Sequence, residues 1–188
     1  RDPAERFAED ALRMLRALRF AARLSFRIDG ETAAAIHAAR TRLRAVAPER
    51  LHKELSGILC GRQAAALLEE FSDVLFELIP ELAPCQGFRQ YNPHHTRDVW
   101  THTLAVVDGV PPEEPLRLAA LLHDAGKPAT FFFDKNLVGH FYGHPAAGAA
   151  VTEEVLRRLR YDRATTEFVT QLVAVHGRPI PDDLRGMR

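Results

Sequence analysis

Apolar residues recur with a helical period along most of the chain, with charged residues on the opposite side of each repeat. From Arg6 to about Leu24 this pattern predicts one long amphipathic helix, which Asp2-Pro3 can cap and start. The same period, interrupted at Ile28-Asp29-Gly30 and again near Pro48, predicts further helices at residues 31–46, 49–59 and 62–71. The first 70 residues therefore read as a compact helical module.

Three prolines fall between residues 80 and 95, and the histidine density rises after them. We take this stretch as a loop and a domain boundary, which gives one part at residues 1–79 and another at 80–188. Aromatic residues on both sides of Asp134-Lys135-Asn136 indicate a short hairpin or an irregular loop at 130–142. The second part is predicted to hold helices at 98–107, 116–127, 146–159 and 165–175. The fold class that follows is all-α.

Charge is distributed unevenly, although the whole chain is neutral. Residues 1–62 carry a net charge of +5 and the remainder −5. A basic first part is typical of a surface that faces a polyanion, whereas arginines scattered over solvated helix faces are the alternative. The chain starts at Arg1 without an initiator methionine, so we expect a piece of a longer protein.

The cysteine content and the hydropathy indicate the compartment. Cys60 and Cys85 form no metal-binding spacing, and so sparse a pair fits free thiols in a reducing environment. No apolar run approaches the roughly 18–20 residues that span a bilayer. We expect a soluble, cytoplasmic protein with no membrane partner, and the sequence predicts no particular oligomeric state.

The stretch from Leu116 to Lys127 carries the candidate chemistry. It reads as an apolar helix whose last turn bears His123 and Asp124, with Gly126 predicted to end the helix. A buried helix seldom ends in two ionisable groups unless they have a partner. Imidazole and carboxylate together suit divalent Mn, Fe, Co, Ni or Zn, and tolerate Mg. The other candidate ligands are His102, His140, His144 and His176.

His102 followed by Leu-His-Asp-Ala-Gly-Lys at 122–127 resembles the HD superfamily of metal-dependent phosphohydrolases, which are all-helical. The resemblance implies that His102, His123 and Asp124 bind the metal and that Lys127 contacts phosphate. These enzymes use a further Asp, and the chain has Gly177 where relatives often place it. His176, Asp182 or Asp183 could substitute.

Gly-His-Phe-Tyr-Gly-His-Pro at 139–145, with Asn-Pro-His-His at 92–95, is similar to the HD domain appended to bacterial tRNA nucleotidyltransferases. The resemblance implies that His140 and His144 reach a second metal or the substrate phosphate. The alternative is that both histidines form local hydrogen bonds in a loop.

The run from Arg6 to Phe20 resembles the neck helix of class II CCA-adding enzymes and bacterial poly(A) polymerases. In that family a Glu-Asp-x-x-Arg motif reads the incoming CTP or ATP, and Glu9, Asp10 and Arg13 match it. On one continuous helix Asp10 and Arg13 would be i, i+3 neighbours, able to present an acceptor and a forked donor to a base edge. A solvated ion-paired face is the alternative.

The resemblance implies a parent that adds nucleotides to tRNA or other RNA, with a catalytic head that binds Mg. The head's Gly-Ser turn and Asp-x-Asp pair do not occur in this chain. The chain would then hold the neck and an HD domain with possible phosphodiesterase or phosphatase activity. Two alternatives stay open: a stand-alone HD nucleotide phosphohydrolase, and a non-catalytic RNA-binding tail.

Overall fold

A computed structural model describes residues 2–91 and 97–178, and helices dominate these ranges, which confirms the all-α prediction. A short antiparallel hairpin pairs Phe132 with His140, so the segment at 130–142 is a hairpin rather than an irregular loop. The α-helices are α1 Pro3–Glu9, α2 Leu12–Leu24, α3 Gly30–Ala39, α4 Pro48–Leu59, α5 Ala64–Glu70, α6 Ser72–Leu78, α7 Val99–Gly109, α8 Glu114–Leu122, α9 Lys127–Thr130, α10 His144–Arg158 and α11 Arg163–Val175. The 3₁₀ helices are Arg40–Ala45 and Pro80–Cys85, and the strands are β1 Phe132–Phe133 and β2 Gly139–His140.

The prediction of one continuous helix from Arg6 to Leu24 is wrong. Asp10 is extended, with φ −149° and ψ 104°, and it separates α1 from α2. Its Oδ1 accepts a hydrogen bond from the amide of Leu12 at 3.0 Å. A short acidic side chain that satisfies a nearby amide favours a helix start over a helix interior. The apolar period continues across the break, so periodicity alone does not reveal it.

Two other boundaries also differ from the predictions. The predicted helix 31–46 changes to a 3₁₀ helix after Ala39, where Arg40 donates to the carbonyl of His37 at 2.6 Å and so satisfies one of the helix-end acceptors. The predicted loop at 80–95 begins with the 3₁₀ helix Pro80–Cys85, whose first residue has the fixed φ that suits a helix start.

One hydrophobic cluster extends from α1 to α11, with α2 packed on α4 and α10 packed on α11. Polar contacts also join the predicted parts: His52 Nδ1 donates to the carbonyl of Leu159 at 2.7 Å, and Ser56 Oγ lies 3.0 Å from Tyr161 Oη. The division at residues 79 and 80 stays a prediction, and the packing is continuous across it. In the described ranges, no helix is both long enough and apolar enough to cross a membrane.

The turn after α8 positions the candidate chemistry. α8 ends at Leu122, so His123 and Asp124 lie in a tight turn rather than in the last helical turn. The prediction that Gly126 is a helix-ending cap is wrong as well, because its φ is −80° and it leads directly into α9. Glycine is required there for space, since a Cβ would meet the carbonyl oxygen of His144 and the amide of Gly148. The turn is therefore pressed against the first turns of α10.

Candidate metal centre

Asp124 lies at the centre of a cluster of imidazoles, and its side chain is only 2% exposed. Two imidazoles face each of its carboxylate oxygens. The distances are 3.1 Å from His123 Nε2 and 3.7 Å from His102 Nε2 to Oδ2, and 3.6 Å from His144 Nε2 and 3.7 Å from His176 Nε2 to Oδ1. Ligand candidates that are far apart in sequence thus meet around one buried carboxylate.

Each histidine comes from a different helix or helix end. His102 lies in the first turn of α7, after the cap Asp98, whose Oδ1 accepts from the amide of Thr101 at 2.9 Å. His123 follows α8, His144 begins α10, and His176 follows α11. Because α8 contacts both α7 and α11, and α10 contacts α11, these positions converge.

Three of the imidazoles are oriented by the backbone. In each, Nδ1 donates to the carbonyl three residues earlier: His123 to Ala120 at 2.8 Å, His144 to Phe141 at 2.7 Å and His176 to Val173 at 2.6 Å. A carbonyl can only accept, so Nδ1 carries a proton in each ring, and Nε2 is the nitrogen left to face Asp124 or a metal. This arrangement is typical of metal-binding histidines, whose second nitrogen is usually held by a backbone carbonyl or carboxylate.

The donor atoms fit a metal ion. His102, His123 and Asp124 place their donors within 4.8 Å of one another, and so do Asp124, His144 and His176. Asp124 Oδ2 is buried, with Lys127 Nζ at 2.8 Å and His123 Nε2 at 3.1 Å. A bound cation would further compensate this buried negative charge and could take the surrounding imidazole nitrogens as ligands.

The charges at the site follow from burial and from this geometry. Burial raises the pKa of Asp124, but hydrogen bonds from His123 and His176 and the charge of Lys127 outweigh it and hold the pKa well below its usual range. A hydrogen bond to Asp124 raises the pKa of His176, whereas burial lowers the pKa of His144. The site therefore combines a permanent anion with imidazoles that differ in basicity.

Lys127, which the resemblance assigns to phosphate, lies in the site but faces inward. The residue is 5% exposed, and its Nζ is 2.8 Å from Asp124 Oδ2. The same Nζ donates to Gln90 Oε1 at 2.8 Å and lies 5.3 Å from the centroid of the Phe141 ring. Its contacts hold the Asp124 carboxylate in place. Sequence reasoning missed Gln90, which lies in the predicted loop and carries no motif.

His140 lies at the same cavity but binds a different acid. Its Nε2 is 3.0 Å from Asp134 Oδ2, and its ring stacks on Phe132 and Tyr142. Neither group of metal-competent donors found in the described residues includes His140. His94, His95, Asp182 and Asp183 lie outside the described residues.

An open cavity of about 560 Å³ leads to the cluster. Its wall includes His123, Asp124, His144 and His176, together with the residues 139–143 of the hairpin and Arg178. A larger cavity of about 750 Å³ lies between α10 and α11, but arginine and glutamate side chains line it and no imidazole reaches it. The smaller cavity is the one that joins metal donors to solvent.

The predicted nucleotide-reading residues are divided by the break at Asp10. Arg13 forms an ion pair with Glu9, and its Nη1 donates to the carbonyl of Arg6 at 3.1 Å. Asp10 contacts a different residue, with Oδ2 3.5 Å from an Arg50 nitrogen. The expectation that Asp10 and Arg13 share one face of a continuous helix is therefore wrong, whereas Glu9 and Arg13 do lie together.

Two protein-family models match the chain. A model described as "Probable RNA and SrmB-binding site of polymerase A" matches residues 25–85, and the HD domain model matches residues 94–187. The RNA-binding match falls on the first helical part of the chain, and the HD match contains every histidine of the metal cluster.

Curated relatives match nearly the whole chain. It is 37% identical to the CC-adding tRNA nucleotidyltransferase of Thermus thermophilus, over 98% of this chain and 45% of that protein. It is 35% identical to the A-adding tRNA nucleotidyltransferase of Deinococcus radiodurans, over 93% and 43%, and 33% identical to the Multifunctional CCA protein of Ralstonia nicotianae, over 94% and 43%. The chain spans less than half the length of these relatives.

Proposed function

We infer that this chain, which belongs to the family of tRNA nucleotidyltransferases that join an RNA-binding segment to an HD domain, hydrolyses phosphoesters at a metal bound around Asp124. The observation that supports this most is the convergence of four Nε2 atoms on one buried carboxylate. A metal bound there would lower the pKa of a coordinated water and polarise a phosphoryl oxygen.

The donor chemistry favours a transition metal over Mg, since imidazole nitrogens outnumber carboxylate oxygens. We assign the ligands to His102, His123, Asp124, His144 and His176. The Nε2 atoms of His144 and His176 lie 3.2 Å apart. Two nitrogens bound to one ion at about 2.0–2.1 Å would be separated by roughly 2.9–3.4 Å, which matches. His176 then takes the place of the later Asp of the HD superfamily.

The other residues of the site orient the ligands and admit the substrate. Lys127 holds one oxygen of Asp124, and the backbone carbonyls fix the rings of His123 and His144. Arg178 on the cavity wall supplies positive charge for a phosphate. By resemblance to the HD domains of this family, the substrates would be 2′,3′-cyclic phosphates, 2′-phosphorylated nucleotides or a damaged tRNA 3′ end.

For the whole protein we propose addition of nucleotides to tRNA in the cytoplasm. Residues 25–85 would bind tRNA or other RNA through contacts between their arginines and phosphates, which are strongly salt-dependent. Glu9, Asp10 and Arg13 would face the incoming CTP or ATP, next to a head that binds Mg. In this structure Glu9 and Arg13 form an ion pair, whereas Asp10 contacts Arg50, so the contacts support a joint role for Glu9 and Arg13.

The test is metal analysis of His123→Ala beside the wild-type chain. After dialysis we expect the wild type to retain metal and to hydrolyse bis(p-nitrophenyl) phosphate and adenosine 2′,3′-cyclic phosphate. His123→Ala should lose both properties and keep its helical circular dichroism. His37→Ala is the matched control, because that histidine pairs with Asp73 and stacks on Phe71, and it belongs to neither group of candidate metal donors found in the described residues.

Unchanged metal content in His123→Ala would refute the ligand assignment. His140→Ala should retain metal, because its Nε2 binds Asp134. A wild-type chain with no metal and no turnover, but with intact tRNA binding, would retire the hydrolase and leave the RNA-binding tail.

A further inference from the structure

We propose that the side chains of Phe132, His140 and Tyr142, here called the aromatic platform, stack the base of the nucleotide whose phosphoester is hydrolysed at Asp124. The proposal rests on the function proposed above and adds to it the side chains that hold the base of a nucleotide or of a single-stranded RNA end.

The three rings form one patch. The His140 ring stacks on Phe132 with centroids 5.5 Å apart and planes 29° apart, and on Tyr142 at 5.2 Å and 26°. Phe132 and Tyr142 are 5.5 Å from each other. Each ring therefore contacts the other two.

The hairpin alternates between an inner and an outer aromatic face. Phe131 and Phe141 contact each other at 5.4 Å and both contact Phe88, which is packed on the core. Phe132, His140 and Tyr142 belong to the other face, because side chains alternate along a strand and Phe132 pairs with His140. Core packing accounts for the inner rings and does not account for the outer ones.

The platform is exposed although it is made of large aromatic side chains. Tyr142 is 74% exposed and Phe132 is 42% exposed. Exposed aromatic clusters beside a polar cavity mark ligand sites more often than scattered single residues do. Flat rings with a free π face are the surfaces on which proteins stack single-stranded bases.

The platform is held in place before any ligand arrives. Asp134 Oδ2 fixes the ring of His140, while Asp134 Oδ1 accepts from the amides of Asn136 and Val138 at 2.8 and 2.9 Å. The same carboxylate thus shapes the turn and orients the middle ring. A preorganised platform loses little conformational entropy on binding.

The platform is continuous with the metal site. His140 and Tyr142 line the cavity that also contains His123 and Asp124. Tyr142 is followed by Gly143, at φ +82°, and then by His144. Stacking surface and metal donor are therefore two residues apart, so one ligand can place a planar base on the rings and its phosphate at the metal. Stacking contacts only the flat face of a base, which every base has, so we expect little preference among bases.

The experiment compares two probes that differ only in the base. Binding of adenosine 2′-monophosphate and of ribose 2-phosphate is measured by calorimetry on the metal-loaded chain. Tyr142→Ala should weaken the adenosine probe about 5- to 150-fold, the range that base stacking gives, and leave the ribose probe unchanged. Phe132→Ala should act in the same direction, and Tyr142→Phe should bind like wild type, since it keeps the ring.

Phe168→Ala is the matched control, because Phe168 is 50% exposed on α11 and is not part of the cavity wall. It should bind both probes like wild type. Equal loss for both probes in Tyr142→Ala, or no loss in either platform variant, would overturn the proposal.

The two proposals fail separately. Turnover that persists while Tyr142→Ala binds both probes like wild type retires the platform and keeps the hydrolase. Absence of turnover with base-dependent loss of binding in Tyr142→Ala retires the hydrolase and keeps a nucleotide-binding platform.

Discussion

Asp124 and Glu9 both pair with cations, but one pair is buried and the other is in solvent. The Asp124 side chain is 2% exposed and contacts imidazoles and Lys127, whereas the Glu9 side chain is 55% exposed and pairs with Arg6 and Arg13. Water screens the exposed pair, so its geometry contributes little to stability. A buried charge is costly unless its surroundings compensate it, so the partners of Asp124 point to a function, whereas the ion pairs of Glu9 are also expected on an ordinary solvated surface.

The largest expected effect comes from removing the buried charge. Asp124→Asn leaves Lys127 buried next to a neutral amide, and breaking such a pair costs about 3–5 kcal/mol. We expect that loss in the free energy of unfolding, measured by urea denaturation in the presence of a chelator. The double variant Asp124→Asn with Lys127→Met should recover most of the stability, because it removes the unpaired ammonium, and should still bind no metal.

A single variant as stable as the wild type would show that the Lys127 charge finds water or another partner. A double variant that retains metal would contradict the assignment of Asp124 as a ligand. Stability and metal binding are thereby measured as separate properties of the same carboxylate.

A smaller effect on stability is expected at Asp10, which lies next to Glu9 and is half-buried. Asp10→Ala removes the acceptor for the amide of Leu12, and loss of a side-chain acceptor at a helix start costs about 0.5–2 kcal/mol. Thermal and urea denaturation should show this loss, and Asp10→Ser should avoid most of it. Equal destabilisation by Ala and Ser would show that the hydrogen bond to Leu12 is not the reason for aspartate at this position.

The smallest effect is a pH dependence at Glu81, whose side chain forms an ion pair with Arg158 of α10. Burial raises the pKa of Glu81, but the hydrogen bond from Arg158 outweighs it and lowers the pKa below its ordinary 4.5. The pair therefore stabilises the fold above pH 4.5, and that contribution is lost as the pH falls through the lowered pKa. It should be below about 1 kcal/mol, because the pair is partly solvated.

Denaturation of wild type and Glu81→Gln at several pH values measures this contribution. The two stability curves should differ at neutral pH and converge in acid. A constant difference across the range would assign the effect to packing rather than to charge.

Periodicity predicted the helices because burial on one face is a property of each segment. It placed α7, α8, α10 and α11 within a few residues, and the His-Asp doublet indicated the metal chemistry before any packing was known. The inward orientation of Lys127 was not predictable, because its partner Gln90 is 37 residues away and carries no motif. The break at Asp10 was missed because a local hydrogen bond competes with a helix that the apolar pattern would also permit.

Gly126 has a consequence for how such a site can diverge. Its Cα is packed against the main chain of α10, so the spacing between the His-Asp turn and His144 is set by backbone against backbone. Because this contact is between main-chain atoms, side-chain substitutions around it cannot change the distance between the His-Asp turn and His144 by small steps. Changes in substrate preference among related chains would then accumulate in the hairpin, whose side chains line the cavity. The spacing of the metal donors would stay constant.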